Sequence, residues 1–539
     1  MVSRQWVLAI AGAGLSIVLG APGWAQSGAA TDSANWPAYN RTVAGDRYSP
    51  LTQIKRSNVA QLKTLCTYEL PEVNAFQTGP IVVDGVIYFT TDQGAYAVDA
   101  GNCQLKWMQH RATATPSALG VNRGFAYADG MLFRGTSDGH VIALAASDGH
   151  QLWDHLIEVE APGMSIPMAP IAADGRVYVG NAGGDNVGVT GHVYALDEHV
   201  GHQIWRFDVV AAGAAHDTWT NQKLPISGGA FWTSFTYDGA KGVLYVPAGN
   251  PAPDFDTLDR TGQNLYTDSV IAIDAASGHV LGYNQLVPHD AHDWDVDSPP
   301  TLATTRRGKQ IIASANKDGL LSILDRSGVN ASQAVTDPAR IAPVIPLLSQ
   351  TPTTTRSNTD VPLSREHPVR FCPGYTGGTE WNGAAYSPAT DSLFVGAVDR
   401  CSSAQLQDNI TVPPAGRIWF GSAKLAFDPI ADARGWLTSF NAENGAVRWK
   451  FKAPHPMLAG VTPTAGQLVF AADLGGTLYA FDQRSGKVLW QQDTGQSIGG
   501  GIVSYSVGGQ QRIAVASGMK SPVWPGGAKQ SRILVYGLP

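Results

Sequence analysis

The residues best placed to do chemistry crowd one loop. Asp290, Asp293, Asp295 and Asp297 fall within eight positions, with His289, His292 and Trp294 among them. Carboxylates packed this closely repel one another, and a bound cation is the simplest relief. The competing reading is a polar loop with solvated surface acids. The two histidines read as structural or supporting groups rather than ligands. Other positions carry equally double readings. Trp232 follows Gly228-Gly229 and could be a packing residue, Arg123 sits in Asn122-Arg123-Gly124, a turn-like context, and Lys317 begins Lys317-Asp318-Gly319, which also makes a plain hairpin turn. No Cys-x-x-Cys-His occurs, so the chain carries no c-type haem of its own.

What would position such residues is a tag that returns along the chain. An apolar strand ends near an Asp, a Gly follows, and a Trp stands on the next strand. The tag reads Ala97-Val98-Asp99 with Trp107, and Ala143-Leu144 with Gly149 and Trp153. It returns at Ala195-Leu196-Asp197 with Gly201 and Trp205, and at Ala272-Ile273-Asp274 with Gly278. Further copies are Phe440-Asn441 with Gly445 and Trp449, and Phe481-Asp482 with Gly486 and Trp490. Repetition at this scale predicts stacked four-stranded units, that is, an all-β propeller whose tryptophans dock on neighbouring blades. Asp84-Gly85, Asp129-Gly130, Asp174-Gly175 and Asp238-Gly239 each join two apolar runs and predict tight hairpins. Residues 340–366 and 402–435 read as long insertions on one face of the ring, a length that usually serves binding.

Composition agrees with a β-rich exported protein. Of 539 residues, 44% are hydrophobic and only 15% charged, and 60 Gly and 33 Pro are spread along the chain. The net charge is −7, with no basic cluster, which argues against nucleic acid as a partner. Met1 to Arg4, an apolar run and small residues near Ala25 predict a signal peptide over residues 1–25, followed by a linker over 26–35 and one domain over 36–539. No later apolar run is long enough to span a bilayer, so the mature protein is expected to lack a membrane span and to be periplasmic. Cys66, Cys103, Cys372 and Cys401 allow three pairings; Cys66–Cys103 and Cys372–Cys401 are favoured because each pair flanks one blade-like unit.

Several stretches then carry a family resemblance. They include Asp46-Arg47-Tyr48-Ser49-Pro50-Leu51, Asn122-Arg123-Gly124-Phe125, Gly249-Asn250-Pro251-Ala252-Pro253 and Arg260-Thr261-Gly262-Gln263-Asn264. Trp294-Asp295, Asn316-Lys317-Asp318-Gly319 and Gly377-Gly378-Thr379-Glu380-Trp381 extend it. From about residue 36 onward, in collinear order, the chain resembles the type I quinoprotein alcohol dehydrogenases. The resemblance implies an eight-bladed β-propeller holding pyrroloquinoline quinone (PQQ) and a metal ion at its centre. It implies Trp232 as the floor under the quinone, with Gln77, Arg123, Lys317, Glu380 and Trp381 around it. It implies Asp185 or Asn186, Asn250 and Asp295 as metal ligands, Asp297 as the extra carboxylate of the lanthanide-using branch, and Asp295 as the base. Calcium and a lanthanide are both consistent with such oxygen donors. The expected reaction is oxidation of a small or polymeric primary or secondary alcohol, with electrons leaving to a separate soluble cytochrome c. Departures from the family pattern are Ser117 and Ala118 in place of adjacent cysteines, Thr190 in place of an Arg, and Glu380 in place of an Asn. A non-catalytic propeller scaffold of the outer-membrane assembly type is the alternative.

Overall fold

Three of the four Asp-Gly dipeptides form the tight hairpins that their chemistry favours, whereas Asp238 ends its strand paired with Val243 and a four-residue loop follows. In the computed structural model Asp84 and Gly85 have φ of 49° and 76°, and Asp129-Gly130 and Asp174-Gly175 are likewise left-handed at both positions. Short polar residues and glycine tolerate that region, and it matches the twist of the flanking strands. The structure describes residues 33–113, 119–157, 162–210, 213–220, 223–524 and 526–539. The leader, most of the linker and the Ser117-Ala118 pair therefore lie outside the described residues.

From these hairpins grow, among the described residues, eight four-stranded antiparallel sheets. The first comprises Ile81–Val83, Val86–Thr90, Gly94–Asp99 and Leu105–His110, and six more follow in chain order with the same simple meander. The eighth joins the two ends of the described chain: Lys63–Glu69 pairs with Arg532–Gly537, beside Gln510–Ser517 and Ile502–Val507. The Cys66–Cys103 disulfide ties this closing sheet to the first one, and Cys372–Cys401 is the second disulfide. Apolar faces pack sheet against sheet: Tyr88 and Ala97 meet Leu132 and Ile142, and Phe394 and Leu437 meet Val469 and Phe481. Burial of such side chains contributes on the order of 1.5–3 kcal/mol each, so these seams carry the stability.

The repeated tryptophans lie across the seams. Trp107 Nε1 donates to the Ala146 carbonyl, Trp153 to Glu198, Trp205 to Ala275 and Trp449 to Gln483, each on the following sheet. Their rings cover Gly149, Gly201, Gly278 and Gly486, where an added Cβ would come within 2.6–2.8 Å of the indole. Glycine at these positions lets the ring lie flat.

Two expectations change. Residues 340–366 are not a free insertion, because Leu347–Pro352 is the fourth strand of the fifth sheet, paired with Leu320–Asp325. Residues 402–435 hold Ser402–Leu406 and Ser422–Phe427, which form a separate three-stranded sheet with Val369–Phe371. That extra sheet covers a small core of Phe255, Trp294, Leu363 and Phe371.

In an antiparallel meander, the entry to the first strand and the connection from second to third strand emerge at the same end. Gln77, Arg123, Trp232, Asp295 and Glu380 lie just before first strands, and Asp185, Asn250 and Lys317 just after second strands. The topology therefore delivers all of them to one end of the sheets.

Candidate functional site

Side-chain contacts link these loops into a chain. Arg123 donates through Nη2 to Gln77 Oε1 (2.8 Å) and through Nη1 to the Trp232 carbonyl (3.0 Å). Its guanidinium lies 4.8 Å from the Trp232 ring centroid and 5.4 Å from that of Trp381, which donates to the Gly499 carbonyl. Trp232 Nε1 donates to Asp295 Oδ1 (3.1 Å), and the Asn250 backbone N–H donates to the same oxygen (3.1 Å). Lys317 Nζ bridges Asp295 Oδ2 and Asp293 Oδ1, at 2.7 Å each. Close packing demands glycine here: a Cβ on Gly249 would collide with Asp295 Oδ1, and one on Gly377 with the Lys317 stem.

Asp290, Asp293, Asp295 and Asp297 are all buried, which removes the competing reading of a polar loop with solvated surface acids. Asp290 caps its own loop by accepting from the backbone of His292 and Trp294. His292 stacks on Trp294 with centroids 4.2 Å apart, and burial lowers its pKa to about 4. His289 faces the Gly262 carbonyl. Neither histidine reaches the acidic centre.

The two candidates of the Gly183–Gly191 motif separate cleanly. Asp185 feels Asp295, Lys317 and the Asn250 side chain; burial, then Asp295, raises its pKa to about 6. Asn186 instead turns its amide to the Gly163 carbonyl. Glu380 lies among Lys317, Asp295 and Arg123, and burial pushes it up to about 8. Asp297 is 1% exposed with both carboxylate oxygens unpartnered, and burial followed by Glu380 and Asp295 raises it strongly. Burial alone would lower Lys317, but Asp293, Asp295 and Glu380 outweigh it and hold the ammonium charged.

Two participants escape sequence reading. Asp254, directly after the Asn250-Pro-Ala-Pro stretch, is fully buried with both oxygens unpartnered, and its carboxyl feels Asp185, Asp293 and Asp295. Its position beside that stretch is the only signal that could have found it. Trp419, from the 402–435 segment, reaches in to accept from the Asp254 N–H and to donate to the Asp185 carbonyl. Nothing in its local sequence foretells that contact.

The centre thus holds an aromatic face, two buried cations and a surplus of carboxylates, several of them lacking donors. Buried acids in this number require either protons or a cation. Among the described residues no three His, Cys, Asp or Glu side chains form a ready-made metal cage, so a cation here needs the Asn250 amide and oxygens of a bound cofactor besides its carboxylates. An anionic planar quinone with its metal fits this donor set: Trp232 offers a face, Arg123 and Lys317 offer charge, and Asp185, Asn250 and Asp295 offer oxygens.

Known proteins match on the same terms. The model of the glucose/ethanol/alcohol dehydrogenase β-propeller domain matches residues 36–330, and that of the outer-membrane protein assembly factor BamB matches residues 430–520. The dehydrogenase subunit of the alcohol dehydrogenase (quinone) of Gluconacetobacter polyoxogenes is 30% identical over 594 residues, covering 96% of this chain and 77% of that protein. Quinohemoprotein alcohol dehydrogenase ADH IIB of Pseudomonas putida is 29% identical over 551 residues, covering 94% and 78%. The solved structure of a europium-containing methanol dehydrogenase superposes with a TM-score of 0.81 at 23% identity, covering 94% of this chain and 98% of that one, which shows a shared fold. Fold and match together define a propeller dehydrogenase. The chain belongs to the PQQ-dependent alcohol dehydrogenase family.

Proposed function

We propose that this protein is a periplasmic dehydrogenase that oxidises a primary or secondary alcohol, small or polymeric, using PQQ and a metal ion, and passes the electrons to a separate cytochrome c. The eight four-stranded sheets are read as eight blades, with the Trp–Gly contacts as their docking devices. Two disulfides suit an oxidising compartment, and no helix among the described residues is long and apolar enough to cross a membrane. The observation that carries the reading is the continuous contact chain Gln77–Arg123–Trp232–Asp295–Lys317, assembled from five separated loops. A scaffold has no use for such a buried polar array, although the match over residues 430–520 keeps that second reading open to test.

When bound, PQQ supplies the two-electron acceptor and the metal supplies Lewis acidity. Asp185, Asn250 and Asp295 would hold the metal, calcium or a lanthanide, with Asp297 adding negative charge that suits a trivalent ion. Arg123, Lys317, Gln77, Glu380 and Trp381 would surround the quinone over the Trp232 face. Asp295 acts as the base for the alcohol proton. Trp232 Nε1 and the Asn250 N–H fix its Oδ1, and the Lys317 ammonium fixes Oδ2, so the carboxylate meets substrate without rearranging.

The test is reconstitution of the purified protein with PQQ plus calcium or a lanthanide, followed by dye-linked alcohol oxidation. Asp295→Asn is expected to lower kcat by about 10²–10⁴-fold, the usual worth of a general base, while PQQ still binds by its absorbance. Full activity in that variant would move the base elsewhere; failure of the wild type to bind PQQ would favour the scaffold.

A further inference from the structure

Asp254 stands apart from the other buried acids of the centre. It is 0% exposed and neither Oδ1 nor Oδ2 has a hydrogen-bond partner. The guanidinium groups around this loop make their hydrogen bonds to other acceptors. Arg365 pairs with Asp256 and Asp259. Arg260 spends its guanidinium on the carbonyls of Pro253, Asp254 and Asp290 and on Asn264 Oδ1, never on the Asp254 carboxylate. The charges that reach the Asp254 carboxyl are chiefly those of Asp185, Asp293 and Asp295, with Lys317 as the opposing one. Lys317 is already shared by Asp293 and Asp295. Asp254 thus shares a water-poor pocket with three other carboxylates, opposed by the Lys317 ammonium and by the Arg260 guanidinium, which gives the Asp254 carboxylate no hydrogen bond; a multivalent cation relieves that arrangement.

The backbone fixes Asp254 beside that cation's position. Trp419 is fully buried; its N–H donates to the Asp185 carbonyl (2.7 Å) and its carbonyl accepts from the Asp254 N–H (3.3 Å). One residue of the extra segment therefore clamps the two acid-bearing loops to each other. Asn250, four residues before Asp254, reaches both Asp185 through its side chain and Asp295 through its N–H. The loop from Asn250 to Asp254 and the loop at Asp185 converge on one corner.

We infer that Asp254 is a further protein ligand of the metal held at Asp185, Asn250 and Asp295, kept in place by the backbone of the extra segment at Trp419. The inference rests on the metal-binding reading proposed above. A hard cation takes six to eight oxygens, so an added carboxylate replaces a bound water rather than crowding the shell.

Europium(III) is a direct probe, because its luminescence lifetimes in H₂O and D₂O count the waters on the ion. The full-length mature protein, with PQQ, is titrated with europium(III) as wild type, Asp254→Ala, Asp254→Asn, Asp185→Asn and Trp419→Phe. Asp254→Ala is expected to gain about one bound water and to bind the ion at least about tenfold more weakly, since removing a ligating or supporting group typically costs 10–100-fold. Trp419→Phe keeps the backbone clamp and is expected to leave the water count unchanged. An unchanged water count in Asp254→Ala with the ion still bound overturns the inference, because a residue that only tunes the site alters affinity without opening a coordination position. Should Asp254→Ala fail to fold, Asp254→Asn, which keeps the volume and loses the charge, decides: affinity within twofold of wild type also overturns it. If Asp185→Asn likewise binds as wild type does, or wild type binds no europium, it is the metal reading itself that has failed.

Discussion

Replacing Lys317 by Met tests how the acidic centre is held together. The ammonium makes two 2.7 Å contacts, to Asp293 Oδ1 and Asp295 Oδ2, and its side chain is only 10% exposed. At an effective dielectric of about 20, each contact is worth roughly 6 kcal/mol before desolvation is counted. The net cost of deleting one partner of a buried pair is smaller, about 3–5 kcal/mol, and most of it is the charge left behind. Unfolding entropy near 2 cal/mol/K per residue gives about 1 kcal/mol/K for a chain of this size, so Tm should fall by about 3–5 °C in the cofactor-free protein. With PQQ and metal bound the deficit should narrow, because the cation takes over the neutralisation. Turnover should fall further than stability suggests. Asp295 Oδ2 loses its anchor, and a catalytic group displaced by about 1 Å costs on the order of 10²-fold. Calorimetry and dye-linked alcohol oxidation read the two effects. A variant with Tm within about 1 °C of wild type and kcat within twofold would falsify the bridging role of Lys317.

Other outcomes follow from neighbouring contacts. Gly249→Ala drives a methyl into Asp295 Oδ1, and kcat is expected to drop at least about tenfold with far-UV circular dichroism unchanged; wild-type turnover would mean that Asp295 is free to move. Cys66→Ser with Cys103→Ser opens the tie between the closing sheet and the first, a 37-residue separation worth about 4 kcal/mol in loop entropy, so a lower unfolding midpoint in denaturant is expected and an unchanged one refutes it. In the metal-free protein Asp185 and Glu380 titrate near about 6 and about 8, above their ordinary values, through burial and crowding. The folded chain then holds protons that the unfolded chain releases between about pH 4 and 8, so stability should fall as pH rises across that window. Tm at pH 8 should lie below Tm at pH 5, and metal loading should flatten the difference; a higher Tm at pH 8 without metal would sink this account.

Much of the scaffold was legible because its causes are local. An Asp-Gly pair between apolar runs makes a hairpin wherever it stands, and Asp84-Gly85 and Asp129-Gly130 do so. The Trp tag carried its own spacing, and the cysteines paired as their places beside single units suggested. The site was legible only as a set of residue types. That Arg123 should meet Trp232, 109 positions away, or Tyr39 meet Asn382, 343 away, depends on the closing of the ring. The strand Leu347–Pro352 escaped because Pro346 and Pro352 bound it within a Pro-rich stretch, and it becomes a strand by pairing with Leu320–Asp325.

The amino-acid sequence by itself determined the meander of hairpins, a preference for local cysteine pairs and the inventory of acids, cations and indoles. Only the tertiary structure decided that the acidic loop is buried, that Asp185 rather than Asn186 faces Asp295, and that Asp254 and Trp419 belong to the same corner. The reason is physical: turns obey nearest-neighbour sterics, whereas burial and charge crowding arise only when loops from different sheets share one volume.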